Sequence, residues 1–285
     1  MSDRIKITLL LAPALLIIAL LFVGGLVLGL MRSFNYMPVI GLTQPNFDAY
    51  IGILTSNEFY LSLGLTFYIA FTSTLLSCVL AVSAALALRR TVFGKTVVNF
   101  LFQLNLTVPH LVGAIGILYL FSQSGTFARV GHGLGLIAEP ADFPAFVYDR
   151  FSVGIILQYV WKEVPFVGVI VLANMQSIGD EYEAVARSLG ASKWQAFWNV
   201  LFPMILPSLL SASVIIFAFM FGAYEIPAIL GQHYPAALPV MAYRLFTNVD
   251  LNARPQAMAL AMVITLVSSI LIFFYVRLTR RYVRS

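Results

Sequence analysis

The chain has 285 residues, 60% of them hydrophobic and only 10% charged, with a mean hydropathy of +0.92. Soluble domains average about 45–50% apolar and about 25% charged residues, so the composition excludes an ordinary water-soluble enzyme and a polar disordered chain, and specifies an integral membrane protein. The formal charge of +5 reflects 17 Lys+Arg against 12 Asp+Glu; most basic residues sit at the ends of apolar runs, which points to membrane orientation rather than nucleic acid.

A membrane-crossing helix needs about 20 apolar residues. Six runs qualify: 7–31, 59–88, 97–121, 151–174, 206–231 and 256–276. The fold expected is all-α, a single polytopic domain over 1–285. Continuous apolar runs favour helices over a barrel, whose strands alternate in segments of about ten residues. The first run is too long for a signal-peptide core and has no small-residue cleavage site, so it reads as a retained helix. The second contains the single cysteine, Cys78, which cannot form an intrachain disulfide and reads as a free core thiol. After it, Gly94-Lys95-Thr96 resembles the tail of a phosphate-binding loop. The first glycine that motif requires falls on Arg89 and no strand precedes it, so a nucleotide site belongs on another chain.

The third run carries Gln103, Asn105, Thr107 and His110 around Pro109. Gln103, Thr107 and His110 share a helical face, which either lines a cavity or bonds to a neighbouring span. The sequon Asn105-Leu106-Thr107 is accidental at membrane depth. His110, His132 and His233 lack metal-ligand spacing, and no nucleophile–base arrangement stands out, so catalysis has no support. The loops 122–150 and 232–255 are rich in Gly, Pro and Tyr; they either present a docking surface or simply connect spans. In the fourth run Gln158 shares a face with Lys162, and Tyr159 with Glu163, while adjacent Lys162 and Glu163 point about 100° apart. Pro165 is expected to kink this helix. The fifth run carries Glu225 in Phe221-Gly222-Ala223-Tyr224-Glu225-Ile226-Pro227. A mid-membrane charge costs about 2.5–3.5 kcal/mol, so these charges face the bundle interior. Asn105, Tyr159, Lys162, Glu163, Tyr224 and Glu225 are candidate pathway residues, Glu225 for a cationic or amine-bearing solute. Interhelical bonding is the alternative for each.

Charge sets the sides. With the N-terminus cytoplasmic, segments 1–6, 89–96, 175–205 and 277–285 hold eleven Lys and Arg, including Arg4, Arg89, Arg187, Lys193 and Arg284. The longer opposite segments hold five. Both termini are therefore expected inside.

The inside loop 175–205 is long for a connection. It reads as two short helices. Asp180 can cap the first, with Glu183 three residues on, and Gly190 suits a left-handed helix end. Ser192 can cap the second, with Gln195 at the same spacing. Pro203 and Pro207 mark that helix's end or a kink. Trp194, Phe197, Trp198 and Leu201 form its apolar stripe, which either packs on the protein's own helices or docks a partner.

The run Glu183-Ala184-Val185-Ala186-Arg187-Ser188-Leu189-Gly190-Ala191-Ser192, followed by Val200-Leu201-Phe202-Pro203, resembles the EAA loop of binding-protein-dependent ABC importer permeases of type I. The spacing from Gly190 to Pro203 matches. At the front, Ala184 stands where the family has its glutamate and Glu183 falls one residue earlier. Trp161-Lys162-Glu163-Val164-Pro165-Phe166 and Leu172–Ile178 also resemble the family's fourth span. The segment Phe221–Gly231 is similar to the spermidine/putrescine and aminoethylphosphonate group.

The resemblance implies that Glu183, Ala184, Ala186, Gly190, Ala191, Ser192 and Pro203 belong to a coupling element docked on a cytoplasmic ABC ATPase. It implies two ATPase subunits holding ATP and Mg, a second permease subunit, identical or paralogous, and an extracytoplasmic solute-binding protein. This chain itself would carry no cofactor and bind no nucleic acid. It would lie among lipids of a prokaryotic inner membrane and move a small polar solute by alternating access. An ion-coupled secondary transporter is the rival reading; it is disfavoured because inverted repeats would call for a counterpart of loop 175–205, and the inside loop 89–96 is only eight residues long.

Overall fold

The computed structural model describes residues 3–90 and 94–283. Residues 91–93 of the inside loop and the basic Arg284 lie outside the described residues. The fold is helical throughout; among the described residues there is no strand, only an isolated antiparallel bridge between Met37 and Leu42. Among the described residues, six segments are long and apolar enough to cross a membrane: Lys6–Ser33, Asn57–Arg90, His110–Gly133, Val153–Ile178, Lys193–Gly222 and Leu251–Arg277.

The chain forms two compact units. One comprises Met1–Leu61 and Leu238–Val267. It contains α1 (Asp3–Ser33) and α2 (Asp48–Leu54), and is completed by two later segments. The leucines along α1 are exposed, among them Leu10, Leu16 and Leu21, as lipid-facing side chains must be when no water surrounds them. The turn after α1 is fastened by Ser33 Oγ and Tyr50 OH at 2.7 Å and by the Phe34 and Phe47 rings, 5.1 Å apart and edge to face.

The other unit comprises Ser62–Ala237 and Ser268–Ser285. It holds most of α3 (Asn57–Arg90), then α4 (Lys95–Leu104), α5 (His110–Phe121), α6 (Thr126–Gly133), α7 (Val153–Ile178), α8 (Glu181–Ser188), α9 (Lys193–Ala196), α10 (Phe202–Gly222) and α11 (Glu225–Leu230). The helices α12 (Leu238–Phe246) and the first part of α13 (Arg254–Val283) return to the first unit. The long helix α7 is the hub of the second unit, packed on α10, α5 and α11. Gly168 permits a close approach to α4: a Cβ there would stand 2.7 Å from Cζ of Phe102.

Two expected spans differ from the observed helices. The run 97–121 is not one helix. Its first part, α4, closes in a 3-10 turn at Asn105–Thr107, Val108 is extended, and α5 starts at His110. Pro109 causes the break, since the residue before a proline is driven out of helical geometry and proline offers no N–H. The membrane-length segment therefore begins at His110 and continues through α6.

The fifth span behaves in the opposite way. Pro203 and Pro207 do not end it; α9 passes through a π turn at Phe197–Leu201 directly into α10. A widened turn relieves the clash a proline ring makes with the carbonyl four residues back and the hydrogen bond it cannot donate. The span then stops at Gly222 rather than 231, and Glu225 opens the separate six-residue helix α11. Pro165 lies within α7, which is helical from Val153 to Ile178.

Candidate functional site

Two groups of predicted residues come together, one in the loop between α7 and α10 and one within the spans. In the loop, Gly190 ends α8 at φ +93°, a conformation costly for any residue with a Cβ. The amides of Gly190 and Ala191 bond back to Arg187 O and Ala186 O at 3.0 Å each, a closed helix end. Ser192 caps α9 as its spacing indicates. Its Oγ accepts from the Gln195 amide at 3.2 Å, and Gln195 Oε1 accepts from the Ser192 amide at 2.9 Å. Replacing Ser192 with alanine is expected to cost about 1 kcal/mol of local stability. Hydrogen exchange should show faster opening of the amides of residues 193–196 only; unchanged protection would contradict the cap.

Asp180 does not cap α8. Its backbone is already helical, at φ −96° and ψ −5°, and its side chain makes no capping bond. Asp180 and Glu183 instead converge on Arg89 at the end of α3. The guanidinium donates to Glu183 Oε1 at 2.6 Å, to Gly179 O at 2.7 Å and to Asp180 Oδ1. In sequence, Arg89 reads as an orienting charge and as the residue that breaks the phosphate-loop pattern. Its partners stand some ninety residues away in sequence, and only the unpaired acidic spacing at 180 and 183 hinted at them.

The aromatic stripe of the loop is divided. Leu201 is buried, whereas Trp194 is 69% exposed and Trp198 44%. The rings of Trp194, Phe197, Trp198 and Phe202 pack edge-on or tilted in a cluster at centroid distances of 4.9–6.2 Å. Leu189, at 84% exposure, adds to the apolar surface, with Val185 and Tyr182 beside it on α8. Ala184 is exposed, and Ala186 and Ala191 are half-buried.

Within the spans, the break before α5 is closed by α7. The Lys162 ammonium donates to Asn105 O at 2.6 Å, Leu106 O at 3.2 Å and Val108 O at 2.5 Å, carbonyls at the helix break before Pro109; that of Asn105 also accepts from the Val108 amide at 3.1 Å. The Asn105 side-chain amide donates to Trp161 O, and Gln158 Nε2 donates to His110 O at 3.1 Å. Glu163, on the neighbouring face, meets His110 Nε2 at 3.3 Å. The Tyr159 side chain is fully buried and, among the described residues, its hydroxyl has no hydrogen-bond partner. Glu225 is exposed at the start of α11, and Tyr224 is half-buried. Of the six candidates, Lys162 and Asn105 engage backbone at the helix break, Glu163 meets His110, Tyr159 is buried on α7, and Tyr224 and Glu225 lie at the start of α11.

In the loop before α7, Asp142 accepts from the Ala138 and Glu139 amides at 2.9 Å each. Those bonds, that of Glu139 foremost, hold its carboxyl below the usual range. Among the described residues no three His, Cys, Asp or Glu side chains are grouped to hold a metal.

Six apolar spans among the described residues, with a capped two-helix loop between the fourth and fifth, define a multi-pass membrane protein. Residues 73–284 match the family described as "Binding-protein-dependent transport system inner membrane component", and the chain belongs to that family. It is an inner-membrane permease component of an ABC importer. The sulfate transport system permease protein CysT of Escherichia coli is 26% identical over 247 residues, 86% of each chain. The molybdenum transport system permease protein ModB of Mycobacterium tuberculosis is 27% identical over 194 residues, 67% of this chain and 69% of the relative. A bacterial ABC transporter structure involved in import of the acidic polysaccharide alginate superimposes with a TM-score of 0.80 at 21% identity, covering 98% of each chain. That likeness shows the fold. The expected kinship with the spermidine/putrescine and aminoethylphosphonate group is not supported by these relatives, whose names specify sulfate and molybdenum.

Proposed function

We propose that residues 1–285 act as one permease domain, with both termini cytoplasmic, in an ATP-driven importer of a small oxyanion. The working unit comprises this chain, a second permease subunit, two cytoplasmic ATPases that hold ATP and Mg, and an extracytoplasmic binding protein. The observation that carries this reading is the loop from Asp180 to Leu201. It is closed by Gly190, capped by Ser192 and tied to α3, and it still leaves Leu189 and Trp194 open. A stiff element with an exposed apolar tip transmits a push, whereas a flexible loop would absorb it. ATP closure of the ATPase pair would move this element and turn the pathway outward; hydrolysis would reset it. Glu183, Ala184, Ala186, Gly190, Ala191, Ser192 and Pro203 are assigned to this element.

The oxyanion assignment rests on the relatives named for sulfate and molybdenum. It is tested by titrating the purified binding protein with sulfate and with molybdate; binding of neither would overturn it. In the membrane, Lys162 and Asn105 are assigned to fastening the helix break, and Tyr159, Glu163, Tyr224 and Glu225 to the pathway. Carboxylates repel an oxyanion, so Glu163 and Glu225 would border the route rather than bind the cargo. Replacing Glu225 with alanine is expected to change the uptake rate severalfold in reconstituted vesicles while the assembled complex is recovered in native amount. Unchanged uptake would remove Glu225 from the pathway.

A further inference from the structure

The contacts of Arg89 extend the proposed role of the loop to a span it is not joined to in sequence. The loop is covalently continuous with α7 through Gly179 and with α10 through the π turn. At Gly179 the backbone adopts φ +76° and ψ −176°, a joint open to a residue without a side chain. On chain connectivity alone α8 would hinge there, and α3 would not follow it.

Arg89 removes that freedom. It stands in the last turn of α3, where a cation is favoured by the helix dipole. Its planar fork reaches three successive features: the carbonyl of Gly179, the carboxylate of Asp180 and, from its other terminal nitrogen, the carboxylate of Glu183. The Arg89 side chain is 12% exposed and that of Glu183 25% exposed, so the pair is sheltered, while Asp180 is 91% exposed. Exposed ion pairs contribute little; a guanidinium fixed at several points holds orientation as well as position. Lysine, a point charge on a flexible stem, cannot reproduce the fork.

We propose that Arg89 is a positioning residue that locks the end of α3 to the α7–α8 joint, so that α3 and the coupling loop move as one body during the transport cycle. The proposal rests on the reading of the loop as the ATPase-driven element, and its test separates the two. In the permease–ATPase complex in lipid nanodiscs, with Cys78 replaced by alanine, cysteines at Ser83 on α3 and Ser188 on α8 carry a spin-label pair. With Arg89 present, the distance distribution should be narrow and unchanged between the nucleotide-free and ATP–vanadate-trapped states. R89A should broaden it at least twofold in the assembled complex, R89K should fall between, and E183Q should broaden it less than R89A. A merely structural role would lower the yield of complex without changing the distribution in what assembles. A distance that shifts on trapping with Arg89 in place, or an R89A distribution as narrow as the native one, would overturn the proposal. Failure of the permease to bind the ATPase subunits would instead sink the coupling reading, and the width comparison on the same permease would still decide the lock.

Discussion

Replacing Lys162 with methionine is expected to lower the stability of the permease by about 2 kcal/mol or more, although methionine is only one atom shorter than the side chain it replaces and is better suited to lipid. Two effects oppose each other. Burying an ammonium is itself unfavourable, and exchanging a whole buried ionic group for an apolar one is often neutral. Here the exchange is one-sided. The ammonium has three N–H donors, and all three go to backbone carbonyls, those of Asn105, Leu106 and Val108. The backbone cannot be mutated away. The Asn105 carbonyl keeps the Val108 amide at 3.1 Å, but those of Leu106 and Val108 face the break before Pro109, and in the membrane no water replaces a lost donor. Each of these two carbonyls left without a donor costs about 1 kcal/mol at the low end, a loss of about 2 kcal/mol or more. In detergent the variant should melt about 4 °C or more below the native protein. If it melts at the native temperature, Lys162 is not what holds the break between α4 and α5 together.

The same residues show what a sequence reading can and cannot reach. Class and span count follow from hydropathy, because a helix crossing hydrocarbon must be apolar over its whole length. The Ser192–Gln195 box is legible because donor and acceptor lie within one turn. The identical spacing at Asp180–Glu183 misleads because a distant arginine offers both carboxylates a charged partner, and charge-assisted bonds outcompete a capping bond to a neutral amide. Pro109 breaks the third run, but its unbroken hydropathy reads as one span, and no local pattern shows that the Asn105 amide bonds to the Trp161 carbonyl. Lys162 reads as a pathway residue for the reason any buried charge does; only the fold shows its ammonium bonded to three carbonyls some fifty-five residues away. Proline at 203 is the converse case. Its effect depends on whether the preceding turn can widen, a property of packing around Phe197–Leu201 that no local pattern displays.

Exchanging both Leu189 and Trp194 for glutamate should detach the ATPase subunits while leaving the permease folded. Both side chains project from the loop, at 84% and 69% exposure, so neither supports the protein's own core and little stability is at stake. Their neighbours Ala196 and Leu201 are buried and would keep the loop seated on the spans. On the proposed interface the balance differs. A large apolar anchor that fills a partner's cleft contributes about 2 kcal/mol or more, roughly thirtyfold in affinity for each, and a glutamate in its place brings an unpaired charge into a desolvated contact. The paired change should therefore weaken association by at least a thousandfold. Co-purification of tagged permease with the ATPase would read this directly, and the melting temperature of the isolated permease would serve as the control for folding. A variant that still retains the ATPase at native stoichiometry would show that the exposed tip of this loop is not where the motor grips.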